Sequence, residues 1–484
     1  MPDLRAVLRR RVAERWPVAD AFYRERDDRT ARLVGNIAEY GDQPVEIHVD
    51  PMTAHDVTVQ RIALIAANLT TRWARSVRVV VPSGTLLHGS LRSGGLATLA
   101  DRVDWEMAHA DPFGISGVRD RPLRLFVGPW HMAQQSLKAD DFCVHATHWT
   151  ALGRRGHDIR ACDNRAVSSP ATVAATALAA SLGAADLFKR AIGQNHDDLI
   201  RTFAWDTWAH DFVLGPQGWD SVTRRPVPGD LDFGRTLLAG VGAIGSALVY
   251  LMRMMSLRGA ITLFDRDHVD VTNLNRSPLF TVLDALAQRS KTSVGKQYLE
   301  GLDLTIEAQN GNWRDHVEKF AVEQFDVWIS LTNEDGAWAE VPFHLPPVVL
   351  HGTTTSGWGF GAGRHIPRVE DCTLCRMPRP EQEFRGPCAV GGIAHPANQE
   401  PVRASLPFLS TASAALLLSL YTRLITGLDG GHGVNDIAAD LTSGLPAIIG
   451  VRRLPTATCR GCRIMHSSVW RERGGRGRFA KLSN

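Results

Sequence analysis

Short apolar runs alternate with longer amphipathic stretches through both halves of the chain. In the second half, residues 235–241 (RTLLAGV), 260–265 (AITLFD), 303–309 (DLTIEAQ), 325–331 (FDVWISL) and 346–352 (PPVVLHG) read as strands. The stretches between them, beginning with 243–257, have helix length. This alternation predicts βαβ units and an α/β fold with a mostly parallel sheet. The first half has strand-like runs at 44–49, 77–82 and 123–128 and predicted helices over 56–74 and 170–192. It has the same α/β character but no glycine fingerprint.

The segment 215–234, rich in Gly, Pro and Asp, reads as the boundary between the halves. The domains expected are therefore 1–228, 229–470 and a basic flexible tail, 471–484. Two Ala/Ser-rich helices share a closing pattern, LFKRAIG at 187–193 and LYTRLITG at 420–427, which hints at two copies of one domain. The apolar stretches 172–188 and 410–425 are rich in small residues and bounded by Asp186 and Arg423, which suits helices inside a domain better than a bilayer. At the N-terminus, Leu4, Val7, Leu8 and Val12 at helical spacing among five arginines predict a surface helix, not a signal peptide. A cytoplasmic address and no membrane contact are expected.

Composition is that of a globular chain: 484 residues, 44% hydrophobic and 22% charged. A net charge of +3 is too balanced to argue for a nucleic-acid partner. Six lysines against 48 arginines make each lysine worth inspection.

Gly240-Val-Gly242-Ala-Ile-Gly245 follows a predicted strand and opens a predicted helix, and Asp265 lies 20 residues past Gly245. Glycines here allow a tight turn and let backbone N–H groups approach a phosphate, while the acid can hold ribose hydroxyls. After the next strand the chain reads LFDRDHVDVTNLNRSPLF, which crowds Asp265, Asp267, Asn273 and Arg276 around the nucleotide. A dehydrogenase has no need of an Arg after Asn-Leu-Asn; an enzyme working on the phosphate chain does. Two C-x-x-C pairs, Cys372/Cys375 and Cys459/Cys462, can supply the four thiolates of a closed structural zinc site.

The string GVGAIGS…FDRDHVDVTNLNR closely resembles the adenylating domain shared by the ThiF/MoeB sulfur-carrier activating enzymes and the ubiquitin-activating enzymes, over about 229–465. The resemblance implies a Rossmann-like fold, ATP and Mg²⁺ as cofactors, and adenylation of the C-terminal glycine of a ubiquitin-like or sulfur-carrier protein. It implies that Gly240, Gly242 and Gly245 face the phosphates and that Asp265 and Asp267 lie at the nucleotide. Asn273 and Arg276 would contact the phosphate chain. Lys296 is the best match for the family lysine, with Lys291 its rival. Where the family carries Asp after Thr at the end of a strand, this chain has Asn333, so either an acid one or two places on, Glu334 or Asp335, takes the magnesium role, with Asp335 the choice, or catalysis is weakened. The 83-residue gap between the inner cysteines matches the family's structural Zn²⁺ site.

Cys388, in FRGPCAVGGIAHP, matches a cysteine that carries a thioester or persulfide in some of these enzymes, and a mobile loop beside Arg385 would suit a nucleophile. Cys143 and Cys162 read as packed cysteines, and His145 and His148 as a poor metal pair. The Gly-rich loop 351–364 would guide the substrate's tail. The implied partners are a carrier ending in Gly and a ubiquitin-conjugating-type enzyme, with the chain acting as an internal pseudo-dimer or as a homodimer. A NAD-dependent oxidoreductase is one alternative. A catalytically degenerate scaffold of the same fold, which Asn333 favours, is the other. The first half is expected to be a copy that binds no ATP, with SGTLLHGS at 83–90 standing where the nucleotide loop would be.

Overall fold

The computed structural model describes residues 4–34, 40–92, 95–115, 121–129, 137–161, 170–220, 222, 224–322, 325–332, 336–355, 358–376, 406–427, 433–473 and 478–483. The first half forms a seven-stranded sheet of β1 (Val45–Val49), β2 (Val77–Val80), β3 (Leu123–Val127), β4 (Phe142–Thr147), β5 (Thr150–Arg155), β6 (Phe203–Asp206) and β7 (Phe212–Leu214), in the order β2-β1-β3-β4-β5-β6-β7. The second forms an eight-stranded sheet of β8 (Leu231–Ala239), β9 (Leu257–Phe264), β10 (Asp303–Gln309), β11 (Val327–Ser330), β12 (Val349–Thr354), β13 (Gly359–His365), β14 (Asp436–Asp440) and β15 (Ala447–Val451). Its order is β10-β9-β8-β11-β12-β13-β14-β15.

The helices of the first half that matter here are α1 (Leu4–Val12), α2 (Ala19–Arg26), α3 (Asp28–Val34), α4 (Val57–Thr71), α5 (Leu99–Ala110) and α6 (Val173–Ala191). Those of the second that matter here are α7 (Ala243–Met252), α8 (Lys291–Leu299), α9 (Trp313–Val322), α10 (Pro407–Thr426), α11 (Arg460–Met465) and α12 (Ser468–Arg473).

Leave out β10 and the two sheets have one plan. In both, the first four strands in the shared order pair in parallel and the remaining steps are antiparallel. The helices fall in step too: α4 after β1 as α7 after β8, and α6 between β5 and β6 as α10 between β13 and β14.

The apolar core runs without a break through both halves, because α6 and α10 pack on each other and on both sheets. That double burial explains their composition. A helix covered on every face has no use for a polar stripe, and small side chains let neighbours approach. By length and composition α10 could cross a membrane, yet 94% of that stretch is buried inside the fold. The polar groups of the pair find partners: Asp186 of α6 takes Arg155 and Arg190, and Ser413 of α10 donates to the Gly361 carbonyl at 2.7 Å.

Four expectations need correction. The helix predicted over 243–257 stops at Met252, and β9 begins at Leu257. The loop predicted at 351–364 is instead largely the β12–β13 hairpin; its glycines permit close packing, since a Cβ on Gly361 would lie 2.5 Å from the Ile437 carbonyl oxygen. The tail 471–484 is not wholly free: Phe479 is buried, and Arg478 donates to the Asp232 carbonyl at 2.7 Å. Finally, β2 occupies the place of β9, so 83–90 is not the counterpart of the nucleotide loop. That counterpart follows β1 and spans 50–56.

Candidate functional site

The loop 240–245 leaves the C-terminal end of β8 at the point where the sheet order reverses: the chain goes outward to β9 and β10, then returns to β11 on the other side of β8. Such a switch point opens a crevice between neighbouring strand ends, the usual ligand position in α/β sheets. Gly240 has φ +99°, and a Cβ there would lie 2.6 Å from the Leu331 carbonyl carbon. A Cβ on Gly245 would lie 2.0 Å from the Gly240 oxygen. These two glycines let the turn pack.

Gly242 differs. A Cβ there would meet nothing within 4 Å, and as N-cap of α7 it offers no side chain to the helix's first turn. The helix end thus presents its positive dipole to open space.

Charged groups gather beside it. Asp265 accepts from the Val241 N–H at 2.7 Å and the Asp267 N–H at 2.9 Å, so it braces the glycine loop. Burial raises its carboxyl above the usual range, with Lys291 opposing. Lys291, buried at the start of α8, donates to Asp267 at 2.7 Å. Burial pulls the Asp267 carboxyl upward, but Lys291 and Arg266 together outweigh it and hold the group low. Lys296, the lysine selected from sequence, is exposed five residues along α8, about 140° around the helix. Lys291, the rival offered by the sequence, is the lysine the fold brings to the acids.

Asn273 and Arg276 sit in a buried turn. The Asn273 side chain accepts from the Asp270 N–H at 3.0 Å, closing a reciprocal cap with Asp270. The Arg276 guanidinium donates to the Thr272 carbonyl and, at 3.2 Å, to Asn275. Both residues shape the turn that follows β9.

The counterpart loop in the first half is built oppositely. Asp56 caps α4, accepting from the Thr58 N–H at 2.7 Å. Asp50 accepts from the Met52 N–H and from the Thr53 hydroxyl, each at 3.1 Å. Gly128, φ +115°, closes over it, its would-be Cβ 2.7 Å from that of Asp50. Carboxylates occupy the ground where an anion would bind.

Cys372, Cys375, Cys459 and Cys462 converge, with all four sulfurs within 4.8 Å of one another. Sulfur–sulfur distances of 3.3, 3.6 and 3.9 Å suit the edges of a tetrahedron with metal–sulfur bonds of about 2.3 Å. Gly461 allows the closure, since a Cβ there would lie 2.7 Å from the Cys372 sulfur. The set fits zinc, and it ties the segment after β15 back to the connection after β13.

Cys143 is buried in β4, and burial pushes its thiol up to about 12, as befits a packed cysteine. Asn333, Asp335, Cys162 and Cys388 lie outside the described residues. One set of contacts had no sequence signal: Asn68 and Arg72 of the first half reach the segment 274–280.

Comparison with known proteins agrees with this geometry. Residues 229–431 match the ThiF family. That stretch is a ThiF-family domain. Two curated relatives overlap this chain in part. One is the sulfur carrier protein ThiS adenylyltransferase of Escherichia coli K12, 26% identical over 167 residues, or 34% of this chain and 65% of that one. The other is the uncharacterized protein y4jF of Sinorhizobium fredii, 35% identical over 186 residues, or 38% of this chain and 35% of that one. The chain therefore spans about a third of one relative's length and under two thirds of the other's. Among solved structures, E. coli MccB with MccA aligns at 18% identity and a TM-score of 0.37, covering 47% of this chain and 66% of that one. A score so low bears no weight for function.

Proposed function

We propose that the ThiF-family domain adenylates the C-terminal carboxylate of a ubiquitin-like or sulfur-carrier protein at the expense of ATP. The observation that carries this reading is the uncapped, glycine-opened end of α7 at the β8/β11 crevice, with Lys291, Asp265 and Asp267 beside it. In the step proposed, a carboxylate oxygen of the carrier attacks the α-phosphorus of ATP. The bond to the bridging oxygen breaks, and pyrophosphate leaves with its electron pair. Negative charge builds at the phosphate, and Lys291, Arg276 and the end of α7 are the groups of this chain able to meet it. Magnesium, when bound, would neutralise phosphate charge, with Asp335 as its proposed ligand. Thiolate attack by Cys388 on the acyl carbon, releasing AMP, is the proposed second step.

Zinc at the four cysteines would be structural, since four protein ligands leave no open position. The first half is proposed as the inactive member of an internal pair. ATP–pyrophosphate exchange stimulated by a small protein ending in Gly tests the reading. Exchange should appear with such a carrier and vanish with its terminal Gly deleted; absence of exchange with any such carrier favours the degenerate scaffold. A carrier adduct that reductant releases, lost in Cys388→Ala while exchange persists, would establish the second step.

A further inference from the structure

A buried cation of the N-terminal half grips the segment 274–280 of the other half. Arg72, directly after α4, is 2% exposed. Its Nη1 donates to the carbonyls of Leu274 at 3.0 Å and Phe280 at 2.9 Å, and its Nη2 to that of Pro278 at 2.8 Å. Its Nε donates to Asn68 at 3.1 Å, and the Asn68 amide in turn donates to the Pro278 carbonyl at 3.1 Å. A second tether lies nearby: Asn275 donates to the Thr30 hydroxyl at 3.0 Å. Among the described residues, every acceptor of the Arg72 guanidinium other than Asn68 is a main-chain carbonyl of the segment that carries Asn273 and Arg276.

Burial lowers the Arg72 pKa to about 10, which leaves the group charged at neutral pH. A buried cation is costly unless its donors are satisfied, and a planar fork meets several fixed carbonyls where an ammonium cannot. The chain therefore spends a buried charge on fixing a backbone turn in the other half.

We infer that Arg72 is a positioning residue for the nucleotide: by gripping the carbonyls of Leu274, Pro278 and Phe280, it lets the N-terminal half set the turn that presents Asn273 and Arg276. The inference rests on the nucleotide reading above. It gives the N-terminal half a task in the site without a nucleotide of its own. The connection is indirect, through backbone.

The test compares the full-length chain with Arg72→Met and Arg72→Lys by calorimetric titration with AMPPNP and Mg²⁺, at a temperature where circular dichroism shows all three folded. The expected result is a Kd raised about tenfold in Arg72→Met, with little rescue by Lys because one ammonium cannot reproduce the fork. Amide hydrogen exchange across 271–280 should quicken in Arg72→Met while that of β1, β3 and β4 stays as in wild type. Should Arg72→Met not fold, Thr30→Val removes only the second tether and should raise Kd by a factor of about 2 to 5. Unchanged Kd and unchanged exchange over 271–280 in a folded variant overturn the inference alone. A wild-type chain that binds no AMPPNP overturns the nucleotide reading as well, and faster exchange over 271–280 in Arg72→Met would then leave the contact a purely structural one.

Discussion

The two halves answer one structural question in opposite ways. Each has a strand feeding a helix at the switch point of its sheet, β1 into α4 and β8 into α7. In the second half, the N-cap is Gly242, with open space at its α-carbon. In the first, it is Asp56, whose carboxylate takes the Thr58 N–H, with Asp50 and Thr53 filling the rest of the loop. A carboxylate at a helix N-terminus is stabilising there for the same reason a phosphate is, so the two exclude each other. The first loop sets carboxylates at its helix end, and the second leaves its helix end open.

The largest expected effect concerns a feature found, among the described residues, in one half only. Cys459→Ser should lose bound zinc and lower stability by several kcal/mol, read as metal content and denaturant midpoint. Cys143→Ala in β4 should cost only about 1–2 kcal/mol and leave metal content unchanged. Next come the two glycines that close the switch points. Gly240→Ala and Gly128→Ala each force a side chain onto positive φ against a close neighbour, and each should cost about 2–4 kcal/mol in a urea titration. Only Gly240→Ala should abolish nucleotide binding; loss of binding in a folded Gly128→Ala would break the comparison.

The lysines give a sharper contrast within the ThiF-family domain. Lys291→Met should slow pyrophosphate exchange by about a hundredfold, and Lys296→Met by less than about twofold, because only Lys291 stands beside Asp267 and Asp265. The reverse ranking would restore the sequence-based assignment. Smallest are the two caps. Gly242→Ala should move stability by no more than about 0.5 kcal/mol yet weaken nucleotide binding about tenfold, since the added methyl enters open space. Asp56→Ala should cost about 1 kcal/mol of stability and leave nucleotide affinity alone.

Much of this was legible in the sequence wherever the signal is local. The strand runs at 303–309 and 44–49 nearly coincide with β10 and β1, because alternation and turn residues bound them closely. The glycine loop and the cysteine knuckles declare themselves by spacing. The antiparallel ends of both sheets were harder: β5 to β7 and β13 to β15 are short or glycine-rich and draw stability from their neighbours rather than from propensity. The closing pattern shared by α6 and α10 did point at equivalent helices, since both are buried by the same packing. The correspondence between the halves was misjudged because VRVVVP reads as the stronger strand, although β1 stands at the switch point. Lys291 and Arg72 act through partners 24 and more than 200 residues away, which no local pattern records.

The central claim is that one half keeps a nucleotide place open and the other has filled it. Calorimetric titration of the whole chain with AMPPNP and Mg²⁺ tests it most directly. The account predicts one site per chain, lost in Gly240→Ala and retained in Asp56→Ala. Two sites per chain, or one that survives Gly240→Ala in a folded protein, would contradict it.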